Sequence, residues 1–401
     1  MSKKLFLVVA ILLGAIIGLW AWTFAAPNNS LSIGGSASVD PLLQQLTNNY
    51  KKEKKESFIY SSTGSGAGVK NVQNDVYNAG FISKEFDEQA FDSNEYNIYD
   101  DNEKFFQVNE NGLNAYGTQA TEQGYLDYIK ANMSEDKEDI HHIEFAKDSI
   151  VFIYNIEGTN FEDFVEYFEF GVKTAAVSGA MPTLSDDSID VLKAIYEPNN
   201  PNDLITWRHL AEMIIEKLEI PSTKTVSQSE IAKLKLALPK VANIKVNPYT
   251  TTPGSGTRSS FEKITKKSNE KEGITPGRAA NAYGNNGSIF SQIQRSNGSI
   301  GYVSMAYAEY VQDAEKFNDL KAVVINDGVN QYDVNKESTS DIEGVENTND
   351  LNNYPLVRPF IAIYKAQNKN IEAIAKFLFW MATDPKAGEF YKHEGLMQVI
   401  K

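Results

Sequence analysis

From Leu31 onward, short apolar runs alternate with amphipathic stretches. LSIGGS (31–36) predicts a short strand ending in glycine, and VDPLLQQLTNNYKKE (39–53) spaces Leu42, Leu43, Leu46 and Tyr50 at helical intervals. FIYSSTGSGAG then predicts a strand and a glycine loop, and VKNVQNDVYN places Val69, Val72 and Val76 on one side of a helix. Strand, loop and helix, twice over, is the pattern of a parallel α/β sheet, whose ligands lie at the carboxyl ends of the strands.

Further along, residues 87–140 are acidic, Asn-rich and weakly periodic, and are expected to form an insertion with little chemistry. DSIVFIYN (148–155) predicts a buried strand, and DLITWRHLAEMIIEKLEIP (203–221) an amphipathic helix ended by Pro221. VANIKVNPYTT (241–251) predicts a strand that delivers the chain into PGSGTRSSFEKI, where Phe261 and Ile264 begin an apolar helix face. SNGSIGYVSMAYAEY (296–310) predicts a glycine turn, a strand and a small helix, and the polar segment 326–353 a surface loop. PLVRPFIAIYK (355–365) predicts a strand, followed by a helix pair broken at Asp384-Pro385.

The N-terminus changes the picture. Lys3 and Lys4 precede an uncharged stretch, residues 5–26, long enough to cross a bilayer as a helix. Cationic residues ahead of it would keep the N-terminus inside and send the chain from about residue 27 outside. Residues 1–29 are therefore expected to be a membrane anchor, with a cleaved signal peptide at Phe24-Ala25-Ala26 as the alternative.

At 401 residues and 42% hydrophobic, the chain calls for two domains. Its formal net charge of −15 argues against nucleic acid or an anionic membrane surface as the main partner. Without cysteine there is no disulfide, thiolate metal site or lipid-modified cysteine. Of four histidines, His141 and His142 are adjacent in an acidic stretch, where an exposed or capping role is expected in preference to a metal.

The candidate chemistry lies in three glycine loops of one design: Gly34-Gly35-Ser36-Ala37-Ser38, Gly64-Ser65-Gly66-Ala67-Gly68 and Gly254-Ser255-Gly256-Thr257. Each follows a strand and opens a helix, whose first N–H groups lack partners and carry partial positive charge. Ser and Thr hydroxyls add donors, so three such loops could surround a small oxyanion with uncharged groups. Taken singly, each is also what an ordinary capped helix start looks like. Enzyme motifs fit poorly: GSGAGVKN departs from the spacing of a P-loop, and neither GSG run is a GxSxG nucleophile elbow.

The order GGSASVDPLLQQL, YSSTGSGAGVKNV, AGFISKEF, PGSGTRSSFEKI, GNNGSIFSQIQRSNGSIGYVSMAY and YPLVRPFIAIYK resembles the phosphate-binding proteins of bacterial phosphate ABC transporters. The similarity runs from about residue 31 to the C-terminus, strong in those motifs and weak in 87–140 and 157–245. It implies a two-lobed α/β periplasmic-binding-protein fold, type II-like, with a ligand cleft between lobes and one transmembrane helix ahead of it. Crossings near 146–155 and 355–365 would give lobe I from 30–148 plus 360–401, carrying the insertion 87–140, and lobe II from 149–359. Closure on the ligand would be a hinge motion read by the transporter.

Carried over position by position, the resemblance implies backbone donors at Ala37 and Ser38, the Ser38 hydroxyl, and Ser65 from the second loop. Ala37 stands where Thr is frequent. Ser83 stands where some members carry an Asp that accepts the proton of hydrogen phosphate, so discrimination against sulfate is weakened. Ser255, Gly256 and Thr257 would grip from the second lobe. Members commonly have Arg where this chain has Thr251, which leaves Arg258 as the matching cation, unless it pairs instead with Glu262 at i+4.

The expectation is thus a single-pass, extracellular solute-binding protein, without cofactor, metal or catalysis, that delivers inorganic phosphate to the permease subunits of an ABC importer. The competing expectations are a receptor for another oxyanion or a phosphorylated small molecule, a non-transport surface interaction protein on the same fold, and a serine hydrolase acting through Ser65 or Ser255.

Overall fold

The computed structural model describes residues 30–107, 114, 119–173, 182–220, 226–313, 316–336, 353–393 and 396–400. The expected anchor, residues 1–29, lies outside them; among the described residues no helix is long and apolar enough to cross a membrane.

The first part of the chain forms β1 (Ser30–Gly35), α1 (Asp40–Lys54), β2 (Ser57–Ser62), α2 (Ser65–Gln73), β3 (Ala79–Ile82), β4 (Tyr96–Asp100) and α3 (Glu122–Ala131). β1 runs parallel to both β2 and β3, as alternating strands and helices require. α1 starts with Asp40 and Pro41 and ends with Lys51, Lys52 and Lys54, so charge complements its dipole at both ends, and it buries Leu42, Leu43, Leu46 and Tyr50.

β5 (Glu138–Asn155) is 18 residues long, far more than the eight expected, because the apolar run continues back through Ile140, Ile143 and Phe145. Next come β6 (Glu169–Lys173), β7 (Thr183–Leu184), α4 (Asp186–Tyr196), α5 (Trp207–Glu219) and α6 (Gln228–Ala237). α5 begins at Trp207 and not Asp203, because the Thr206 side chain caps it by accepting from His209 N–H at 3.2 Å. Then follow β8 (Asn247–Thr251), α7 (Gly256–Ile264), β9 (Asn281–Tyr283), α8 (Asn286–Arg295), β10 (Ser299–Ser304), α9 (Ala308–Gln312), β11 (Leu320–Ala322), β12 (Val324–Asn326) and β13 (Gln331–Tyr332). The chain returns through β14 (Val357–Lys365) into α10 (Ile371–Thr383), α11 (Pro385–His393) and β15 (Met397–Gln398), with the helix break at Asp384-Pro385.

One sheet runs in the order β2-β1-β3-β14-β5-β10-β8-β9. The Ile140–Ser149 half of β5 pairs antiparallel with β14, and its Ile150–Tyr154 half pairs antiparallel with β10. A single strand thereby spans two apolar cores. One core gathers residues from Ile33 to Ala146 together with Phe360 to Leu396, and the other residues from Ile150 to Leu356.

The described residues of 87–140, expected to form an insertion with little chemistry, are built into the sheet and core. β4 pairs parallel with β5, and α3 packs against α10. At the centre, the fully buried Asp101 carboxylate meets Tyr125 OH at 2.5 Å, Tyr364 OH at 2.7 Å, Tyr128 OH at 3.2 Å and His141 Nδ1 at 2.7 Å. His141 is fully buried and His142 nearly so, stacked on Phe86 at 4.1 Å, so neither has the exposed or capping role expected of them. Among the described residues no cluster could hold a metal ion.

Candidate functional site

Each glycine loop leaves a strand at its carboxyl end and opens a helix: β1 into α1, β2 into α2, and β8 into α7. Gly64 takes φ +92°, and a Cβ there would lie 2.8 Å from the Gly254 carbonyl oxygen, so loops two and three pass within backbone contact. The third loop enters α7 at Ser255, which is nearly buried and makes no side-chain cap to its own helix.

The loops meet between the two cores. Ser38 Oγ lies 2.6 Å from Thr257 Oγ1, and Ser36 Oγ 2.6 Å from Ser83 Oγ. Ser65 Oγ accepts from Ser83 N–H at 3.2 Å, and Ser36 Oγ accepts from Ser38 N–H at 3.2 Å. Gly256 faces this cluster so closely that a Cβ on it would stand 1.8 Å from Ser83 Oγ and 2.6 Å from Ser65 Oγ. Ala37 is buried beside Ser38 and supplies main chain only. Ala37, Ser38, Ser65, Ser83, Ser255, Gly256 and Thr257 are thus brought into one region.

Arg258 is turned elsewhere. One residue past Thr257 on a helix is about 100° further round its axis. Its guanidinium donates to Glu262 Oε1 at 2.7 Å, and to Thr250 Oγ1 and the Thr251 carbonyl oxygen at 3.2 Å each. The cation expected to face the ligand is held by groups of its own helix and of β8. Thr250 Oγ1 also sits 2.5 Å from Tyr302 OH, whose pKa burial raises, keeping the phenol protonated.

Two further residues join the cluster. Arg358, fully buried on β14, donates through Nη1 to Thr257 Oγ1 at 2.9 Å and through Nε and Nη2 to Asp148 Oδ2 at 3.0 and 2.6 Å. Asn286, at the start of α8, donates to Ser38 Oγ at 3.4 Å and accepts from Thr257 Oγ1 at 3.2 Å. Both stood in quoted motifs, YPLVRPF and GNNGSIF, yet distance along the chain hid them. The signal was present for Arg358: a lone cation inside an apolar strand needs a buried partner, and Asp148 opens the other such strand.

A bundle of hydroxyls and main-chain amides, with its charges paired off, can bind an anion by hydrogen bonding. No histidine touches Ser65 or Ser255 in the contacts of the described residues, as a serine hydrolase would require.

The family model for the PBP superfamily domain matches residues 23–108 and 117–385. The chain belongs to the PBP superfamily. Among curated proteins, none matches the sequence. Similar solved structures include a protein from Clostridium perfringens, described as a phosphate ABC transporter substrate-binding protein with bound phosphate. It is 18% identical with a TM-score of 0.49, the match covering 92% of this chain and 100% of that one. An ABC-type phosphate transport receptor from Vibrio cholerae is 14% identical with a TM-score of 0.47, over 92% of this chain and 99% of that one. A phosphate-binding protein from Stenotrophomonas maltophilia is 10% identical with a TM-score of 0.45, over 92% and 90% respectively.

Proposed function

We propose that this PBP-superfamily chain is a membrane-tethered extracellular solute-binding protein. It captures inorganic phosphate between its lobes, 30–148 plus 360–401 and 149–359, and delivers it to the permease subunits of an ABC importer, catalysing nothing. The observation that carries this reading is the meeting of loops from both cores at Ser38 and Thr257, 2.6 Å apart. In the proposal the N–H groups of Ala37 and Ser38, the hydroxyls of Ser38, Ser65, Ser83 and Thr257, and the loop Ser255–Gly256 donate to the anion. Such donors suit a protein of net charge −15, whose overall field repels phosphate and leaves capture to short-range hydrogen bonds. The membrane tether rests on the apolar run at 5–26.

Isothermal titration of the full chain in detergent, stripped of bound anion, tests this. Phosphate is expected to bind at micromolar concentration or tighter, with sulfate only moderately weaker because Ser83 offers no carboxylate to reject it; no heat with either anion would overturn the reading.

One observation favours a second reading, a receptor for a phosphorylated small molecule. A cavity of about 330 Å³ adjoins the cluster, lined by Ala37, Ser38, Asn286, Ser304, Tyr307 and Tyr310, room enough for an organic substituent beside the anion. Tighter binding of phosphate monoesters than of inorganic phosphate in the same titration would establish it.

A further inference from the structure

We propose that Arg358 is the positioning residue of the anion site, acting on the ligand through the Thr257 hydroxyl; this deepens the phosphate reading and rests on it. A guanidinium can only donate, so in its 2.9 Å contact with Arg358 Nη1 the Thr257 oxygen is the acceptor. The single Thr257 proton is then directed away from Arg358, toward Asn286 Oδ1 at 3.2 Å or Ser38 Oγ at 2.6 Å. Both are groups of the cluster at which the anion is proposed to sit. An arriving anion takes that proton as its hydrogen bond, in place of Asn286 or Ser38.

Arg358 thus fixes Thr257 as a donor toward the cleft. The positive charge behind the oxygen polarises the O–H bond, and a charge-assisted chain of this kind, out of water, is stronger than a neutral one. The site thereby feels a cation without the cation touching the ligand.

Asp148 makes the arrangement affordable to bury. It is the cross-strand partner of Arg358 in the β5–β14 pair, and it neutralises the guanidinium through two hydrogen bonds to Oδ2. Its other oxygen is saturated by Ser304 Oγ at 2.8 Å, Ser149 N–H at 2.8 Å and Met305 N–H at 3.3 Å. The carboxylate is therefore held toward lobe II by five donors and does not turn its charge on the anion. Because β5 and β14 are also the strands that join the two cores, the element that polarises Thr257 is the one that connects them.

The test is a double-mutant cycle on the full chain, read as the dissociation constant for inorganic phosphate. Arg358→Lys keeps one positive charge for Asp148 but lacks the rigid fork that reaches Thr257 at the same time. Thr257→Val keeps the shape and removes the hydroxyl. Each single variant is expected to weaken binding about tenfold, and the double variant no more than about twofold beyond Thr257→Val alone, since Arg358 then has nothing to act through. A structural role for Arg358 would give losses that multiply.

Should Arg358→Lys melt far below the wild type, the neutral pair Asp148→Asn with Arg358→Gln replaces it, with the same tenfold loss expected. Multiplying losses in the cycle, or wild-type affinity in Arg358→Lys or in the neutral pair, overturns the proposal while the phosphate reading stands. A wild-type chain that binds no phosphate overturns both.

Discussion

Gly256 is the residue at which the proposed site leaves least freedom. With Ser83 Oγ 1.8 Å and Ser65 Oγ 2.6 Å from where its Cβ would be, Gly256→Ala must displace both hydroxyls or part the loops that carry them. Its φ is not in the left-handed region, so the cost falls on the interlobe contact and not on the backbone of α7. Phosphate affinity is expected to fall at least tenfold, about 1.4 kcal/mol, with the melting temperature nearly unchanged. Unaltered affinity would show that the loops need not approach this closely. At this scale the chain was partly readable. The small polar residues of the loops stand out in the sequence because Gly and Ser cluster where backbone closely approaches a ligand or caps a helix. The two arginines were not told apart: Arg258 sits beside the loop in sequence but a third of a turn away on its helix, paired with Glu262. Arg358 is 101 residues from Thr257, yet hydrogen-bonded to it.

Elements were legible wherever one face alternates or repeats. The strand–loop–helix units at 31–73 follow from their apolar spacing, although α2 ends at Gln73 and leaves Val76, expected on its apolar side, exposed beyond it, and the break between α10 and α11 follows from Pro385. The segment 87–140 was misleading for a physical reason. It contributes a parallel strand whose residues are all half-buried, and a five-residue π-helical turn, Asn102–Phe106, neither of which leaves a clean period. What holds β4, α3, β5 and β14 together is a polar centre, four donors converging on Asp101. Burial first, and the Asp101 charge second, push the Tyr125 and Tyr364 phenols well above their ordinary pKa, so both remain donors. Asp101→Asn presents an NH₂ group to some of those donors. It is expected to cost about 3 kcal/mol, read as a lower urea midpoint at constant slope. A midpoint equal to that of the wild type would mean that the network is incidental to the packing.

At the scale of the whole molecule, the antiparallel pair β5–β14 joins two cores, and the glycine loops meet between them. Lys263 and Glu85 add an ion pair from one lobe to the other at the surface, exposed enough to contribute little to stability. The resemblance implied crossings near 146–155 and 355–365, segments that lie in β5 and β14, but not the pairing of Asp148 with Arg358 between those strands. The central claim is that a tetrahedral oxyanion lies among the loops that meet there. Arsenate has the shape and charge of phosphate and an absorption edge of its own, so anomalous diffraction from crystals of the full chain grown with arsenate locates it directly. The account predicts one strong peak within hydrogen-bonding reach of Ser38, Ser65 and Thr257. A peak confined to other surfaces, with these three hydroxyls still bonded to one another, would contradict it.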